Sequence, residues 1–120
     1  METQDYNGWT NRETWAFNLW IDNDRGLQEM AEDYARTSLE NHRNDNPEEP
    51  EAGLSSAVYC LEESLKYWAE EELFTFESVS NNEALFNVLT DIGSLYRINY
   101  REIADSMISE LLQEEQVANV

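Results

Sequence analysis

Side chains able to attack a substrate, relay a proton or hold a soft metal are scarce in this chain. It has one histidine, His42, and one cysteine, Cys60. His42 stands in a polar stretch at the end of a helical pattern and reads as a solvent-exposed residue. Cys60 directly precedes Leu61 in an apolar-periodic segment and reads as a small, semi-buried packing residue. No histidine neighbours it in sequence. Asp22, Asp24 and Gly26 begin like a calcium loop, but the further ligands and the closing glutamate of that pattern are missing. There is no glycine-rich phosphate loop, no Walker pattern and no zinc spacing. The expectation is a protein that is not an enzyme, needs neither metal nor cofactor, and works by binding.

The chemistry that is present is placed negative charge. Twenty-six Asp and Glu face seven Lys and Arg, a formal net charge of -19, and Lys66 is the only lysine. Carboxylate pairs at catalytic separation are unavoidable at this density and carry no information. Self-repulsion on this scale favours solubility but opposes the compact state. Phosphates and anionic membrane surfaces would be repelled, which excludes direct binding to either. A basic protein surface would be attracted. The candidate partner-binding residues are Glu62, Glu63, Glu70, Glu71 and Glu72 on one helical segment and Glu102, Asp105 and Glu110 on another. Residues three or four apart on a helix lie about 5–6 Å apart, comparable to the spacing of successive phosphates along a strand that rises about 3.4 Å per nucleotide. A helix lined with carboxylates therefore offers a fixed row of charge that a DNA- or RNA-binding groove would accept. Being rigid, it would engage that groove without the ordering cost of a disordered chain, and charge complementarity would speed encounter.

The elements that would carry these residues are helices. Thr10 and Glu13 form a capping-box pair ahead of an apolar segment, predicting a helix from about Asn11 to Asp22. After a turn at Asn23–Gly26, Leu27, Met30, Ala31, Tyr34, Ala35 and Leu39 recur at helical spacing and predict a helix ending near His42–Asn44. Residues 44–53 contain both prolines and read as an acidic loop. A third helix places Leu54, Ala57, Val58, Leu61, Leu65, Trp68, Ala69 and Leu73 on one stripe. The FTFESVS segment alternates and reads as a short extended connection. Ser80 with Glu83 and Asn99 with Glu102 repeat the capping signature ahead of two more helices. The first of these has Gly93 as a weak point. The second has Ile98 and Ile103 spaced as a hydrophobic staple. Residues 1–9 read as irregular and 116–120 as a frayed tail. The fold class is all-α, a compact single-domain bundle of about five helices.

At 120 residues, with four Trp, six Tyr and four Phe, the chain can bury a core without staples. A single cysteine allows no intrachain disulfide, which fits a reducing cytoplasm. The first ten residues lack the basic and apolar regions of a signal peptide, and no apolar run reaches the length of a membrane span. Two alternatives stay open. One is salt adaptation, since halophilic proteins are also acidic and lysine-poor. The other is a regulatory or structural protein, alone or as a homodimer, that meets its partner through an aromatic surface built from Trp9, Trp15, Trp20 or Trp68.

Gly8 to Trp15 reads Gly-Trp-Thr-Asn-Arg-Glu-Thr-Trp and is followed by Asn18, Leu19 and Trp20. This segment resembles the opening of a family of small acidic proteins found in phages, plasmids and other mobile elements, and the stretch from Ile98 to Leu112 resembles that family's closing helix. The resemblance implies a mobile-element setting, in which proteins of this size and charge are often inhibitors of host defence, similar as a class to acidic anti-CRISPR and antirestriction proteins that mimic nucleic acid. The expected partner is the basic nucleic-acid-binding surface of a host defence complex, a CRISPR effector first and a restriction enzyme second, inside the bacterial or archaeal cell. Asn11 and Arg12 read most simply as part of a cap beside buried aromatics, with a polar contact surface as the other reading.

Overall fold

The structure, a computed structural model, describes residues 8–45 and 54–118. The expected loop at 44–53 and the irregular N-terminus therefore lie largely outside the described residues. Of the expected frayed tail at 116–120, residues 116–118 instead continue the closing helix, since no Gly or Pro interrupts it there, and the last two lie outside the described residues. The elements are α1 (Arg12–Asn23), α2 (Arg25–Asp45), α3 (Leu54–Tyr67) continuing into a π-helical segment (Trp68–Leu73), α4 (Phe76–Ser80), α5 (Glu83–Ile92), a 3₁₀ turn (Leu95–Arg97) and α6 (Tyr100–Ala118). The described chain is all-α. Five of its α-helices have ten residues or more, as the periodicities predict. No described helix is long and apolar enough to cross a membrane.

The bundle centres on α2, α3 and α6. Tyr34, midway along α2, meets Trp68 just past α3 at a ring separation of 5.8 Å. Arg43 and Glu115 join the far ends of α2 and α6, so those two run alike. From α1, fully buried Phe17 drops between the others, its ring 6.3 Å from Trp68, 6.5 Å from Phe74 and 5.8 Å from Tyr100. Such pairs add about 0.5–1.5 kcal/mol each beyond their area burial.

Several local expectations are corrected. The cap of α1 is Asn11 rather than Thr10: Asn11 Oδ1 accepts from Thr14 N at 2.9 Å. That of α5 is Asn82 rather than Ser80, with Oδ1 accepting from Leu85 N at 3.1 Å. Asn caps at least as well as Ser or Thr, and Glu13 pairs with Arg97 at 3.3 Å instead of reaching back. The cap at Asn99 forms as expected, accepting from Glu102 N at 3.0 Å. The third periodic stripe does not stay α-helical: beyond Tyr67 it widens so that Phe74 N–H donates to Ala69 O at 3.0 Å, and both residues are buried. A turn of that width re-aims the core face, as π-bulges do. FTFESVS is a helix end, a loop and α4, not an extended strand, because Thr75 Oγ1 accepts from Ser78 N at 3.1 Å and caps α4. Gly93 ends α5 with φ +92°, a conformation glycine adopts without cost. His42 is buried rather than exposed, since it continues the Ala35, Ser38, Leu39 stripe of α2. Cys60 is exposed rather than semi-buried, one position off the α3 stripe.

The Asn11–Trp15 segment is a structural tie. Thr14 is 0% exposed; its hydroxyl donates to Asn11 Oδ1 at 2.7 Å and accepts from Asn99 N at 2.8 Å. Asn11 Nδ2 donates to Arg97 O at 2.7 Å, and Thr10 N donates to Glu102 at 3.1 Å. Arg12 donates to the carbonyls of Asp91 at 2.6 Å and Ile92 at 3.3 Å, satisfying the open end of α5. Trp20 Nε1 donates to the Asp91 carboxylate at 2.8 Å. Asn11 and Arg12 are thus occupied inside the fold. Thr14→Val keeps the shape but leaves the Asn99 N–H without its acceptor. It should lower stability by about 1–3 kcal/mol in urea denaturation, while Thr14→Ser recovers most of the loss. A Thr14→Val protein as stable as the original would show that the tie is dispensable.

Candidate interaction surface

The structure separates the sequence-predicted acids into distinct settings. Glu63 and Glu71 are exposed on the outward face of α3 and its π-helical extension, with Lys66 and the exposed ring of Tyr67 between them and the exposed ring of Tyr59 one turn before Glu63. Glu62 and Glu70 lie toward α6: Glu62 is half-buried and pairs with Arg101 at 3.6 Å, and Glu70 accepts from Tyr100 Oη at 3.3 Å. Burial and the neighbouring Glu70 carboxylate push the Tyr100 hydroxyl well above its ordinary range, so it stays a neutral donor. Glu72 is exposed and accepts from Tyr34 Oη at 3.5 Å. Glu102 is half-buried and holds the chain at Thr10, while Asp105 is exposed one turn beyond Arg101. Glu110 is remote from α3 and lines a cleft between α1, α2 and α6. The eight residues do not form a single row.

That cleft, of about 120 Å³, brings four acids together. Asp22, Glu32, Glu110 and Glu114 line it beside Trp9, Ile21, Met107 and Leu111, with Arg36 also at its wall. Arg36 is engaged with Glu32 at 3.5 Å and Asp33 at 3.9 Å. Burial raises the Glu110 carboxyl above its ordinary value, and Asp22, Glu114 and Glu32 raise it further. Burial also raises Asp22, against a hydrogen bond from Asn18. Sequence reasoning picked out Glu110 alone. A signal exists for one of the others: Asp22 stands in the last turn of α1, which carries no basic residue, at the negative end of that helix dipole. Placement there costs about 0.3–1 kcal/mol. The convergence of the four acids needs the tertiary fold. Among the described residues no group of three His, Cys, Asp or Glu side chains is arranged to hold a metal ion.

The distribution of cations sharpens the imbalance. All six arginines make ion pairs within the chain: Arg12 with Asp91, Arg25 with Glu29, Arg36 with Glu32 and Asp33, Arg43 with Glu115, Arg97 with Glu13 and Arg101 with Glu62. The hydrogen bond from Arg43 lowers the Glu115 carboxyl below its ordinary value.

A family profile matches residues 2–118, almost the whole sequence and both ends of the fold. The chain belongs to DUF7249, a family of unknown function. No curated protein and no solved structure matches it. The Gly8–Trp15 segment and the helix after Ile98 both lie inside the DUF7249 match, and they are the segments joined by the Thr14 tie.

Unfolding should report the crowding in this DUF7249 protein. Its Tm is expected to rise with added sodium chloride, because the screening length falls from about 10 Å at 0.1 M to about 3 Å at 1 M. Glu110→Gln should stabilise at neutral pH by about 0.2–0.5 kcal/mol, the scale of one relieved like-charge helix pair. A carboxyl whose folded pKa is raised contributes stability below its unfolded pKa and loses it as pH rises through the folded one. The gain from Glu110→Gln should therefore vanish as pH falls into the carboxylate range. Glu115, whose pKa is lowered, acts in the opposite sense: its stabilisation is lost on acidification. A Glu110→Gln protein that melts lower at neutral pH would contradict the crowding.

Proposed function

We propose that this DUF7249 protein is a mobile-element-encoded inhibitor that mimics nucleic acid, docks on the basic DNA- or RNA-binding surface of a host defence complex and blocks target binding sterically and stoichiometrically. A CRISPR effector is the first candidate target and a restriction enzyme the second. The observation that carries this reading is the use of the cations. With every arginine paired to a carboxylate of the same chain, the excess carboxylates stand on stiff helices without compensation.

The mechanism follows from charge displacement. A groove built for nucleic acid holds Lys and Arg that attract counter-charge, and each phosphate-like contact releases bound ions. Carboxylates fixed three or four residues apart on a helix meet several of these cations without chain ordering. Opposed potentials accelerate the encounter and orient it. Once seated, the protein excludes target DNA without any chemical step. The exposed acids of α3 and its extension, together with the cleft acids, are the groups available for this. Glu62 and Glu102 contribute charge while also holding the structure.

The experiment compares the original protein with a variant carrying Gln at Glu63, Glu70, Glu71, Glu72 and Glu110 and Asn at Asp105. Glu62 and Glu102 are left in place because they hold Arg101 and Thr10. The variant is expected to keep its helical circular dichroism and to melt at the same temperature or higher. It should lose inhibition of target-DNA binding by a purified CRISPR effector by about a hundredfold or more, since removing one partner of each desolvated charge pair costs on the order of 1 kcal/mol or above. Full inhibition by the folded variant would overturn the mimicry reading.

A further inference from the structure

The largest uncovered aromatic rings on α4 and α5 stand together. Phe76 is 86% exposed and Phe86 54% exposed, and both line one shallow depression with Val79 and Asn82. Single exposed apolar residues need no explanation, whereas two exposed aromatic rings lining one depression give a partner side chain a place to pack. Their placement is fixed by local chemistry. Thr75 caps α4 through Ser78 N, and Ser78 Oγ donates to Glu72 O at 3.0 Å. Asn81 Nδ2 donates to Glu77 O at 3.0 Å, and Asn82 caps α5 through Leu85 N. Phe76 opens α4 and Phe86 falls on the face of α5 opposite buried Val88 and Ile92. Both rings are thus carried by a corner whose backbone is tied down, the pre-organisation that lets an aromatic anchor bind without ordering cost.

We propose that Phe76 and Phe86 form an apolar anchor for a basic amphipathic segment of the partner protein, which would insert its apolar side chains here while its cations meet the acidic rim. The charge around the patch selects this occupant. The charged neighbours are Glu83, which lines the depression, and Glu77, which follows Phe76; the other polar lining is Ser80, Asn81 and Asn82. A second copy would bring its own Glu77 and Glu83 and a further net charge of -19 against them, and a nucleic acid or anionic membrane would be repelled in the same way. A cationic segment carrying Leu-like side chains satisfies both the rings and the rim. This inference rests on the proposal that the partner surface is basic, and adds an apolar contact whose strength salt does not screen.

The test uses two labelled helical peptides of equal length and charge, one with Leu and Lys in an amphipathic pattern and one with Gln replacing every Leu. Fluorescence anisotropy measures binding of each to the full chain and to a Phe76→Ser/Phe86→Ser variant, whose fold is checked by circular dichroism. The Leu peptide is expected to bind the original protein about tenfold or more tightly than its Gln twin. The variant should abolish that gap while binding the Gln peptide as before. Equal binding of both peptides to the original protein, or a gap that survives in the variant, would overturn the anchor. So would a low-salt dimer in sedimentation velocity that the variant loses, since the occupant would then be a second copy. The six-acid variant keeps both rings and Glu77 and Glu83. Loss of inhibition there with no Phe-dependent gap here rejects only the anchor, and the converse rejects only the mimicry.

Discussion

Twenty-six carboxylates and seven cations must share one small fold, and this constraint orders the rest of the structure. The arginines go to joints. Arg12 closes the end of α5, Arg43 grips Glu115 through two hydrogen bonds of 2.8 Å, Arg97 links the 3₁₀ turn to α1, and Arg101 ties α6 to α3. Exposed ion pairs of this kind contribute only about 0–1 kcal/mol each, so they set geometry more than they supply stability. Stability rests on the buried aromatic junction of Phe17, Trp68, Phe74 and Tyr100 and on the buried hydrogen bonds around Thr14.

The Asn-Arg-Glu-Thr-Trp segment shows how function and scaffold divide. Its sequence reads as a cap beside buried aromatics, with Asn11 and Arg12 as an alternative contact surface, and the fold takes the first course: Asn11, Arg12, Glu13 and Thr14 each bond to the stretch from Asp91 to Asn99. The start of α1 and the connection from α5 to α6 are therefore one joint. That joint and the arginine pairs each match a cation to a carboxylate of the same chain, so among the described residues the unpaired charge left at the surface is mostly carboxylate.

Helical periodicity is legible because the apolar residues recur at three and four over long runs, and the core residues Phe17, Leu61, Leu65 and Trp68 fall on those runs. The failures have local causes. His42 lies on the α2 stripe, but Asn41, Arg43 and Asn44 around it disguise the burial. The π-helical turn depends on whether Leu73 or Phe74 reaches the core, which periodicity alone does not decide. Asn11 and Asn82 displace the Thr and Ser caps because either type satisfies the same donors. The acidic cleft is different in kind: Asp22, Glu32, Glu110 and Glu114 come from three helices, and no spacing along the chain announces their meeting. The exposure of Phe86 is readable, since it falls off the Leu85, Val88, Leu89, Ile92 stripe.

The proposed inhibitor thus combines a tied, aromatic-centred bundle with charge that the fold itself leaves uncompensated. Capture of the tagged protein's partner from a lysate carrying an active CRISPR system, washed at low and high salt and challenged with DNA, tests this most directly. Mimicry predicts a nucleic-acid-binding complex that is retained at low salt and released by either high salt or competing DNA. A partner held equally well through both would contradict it.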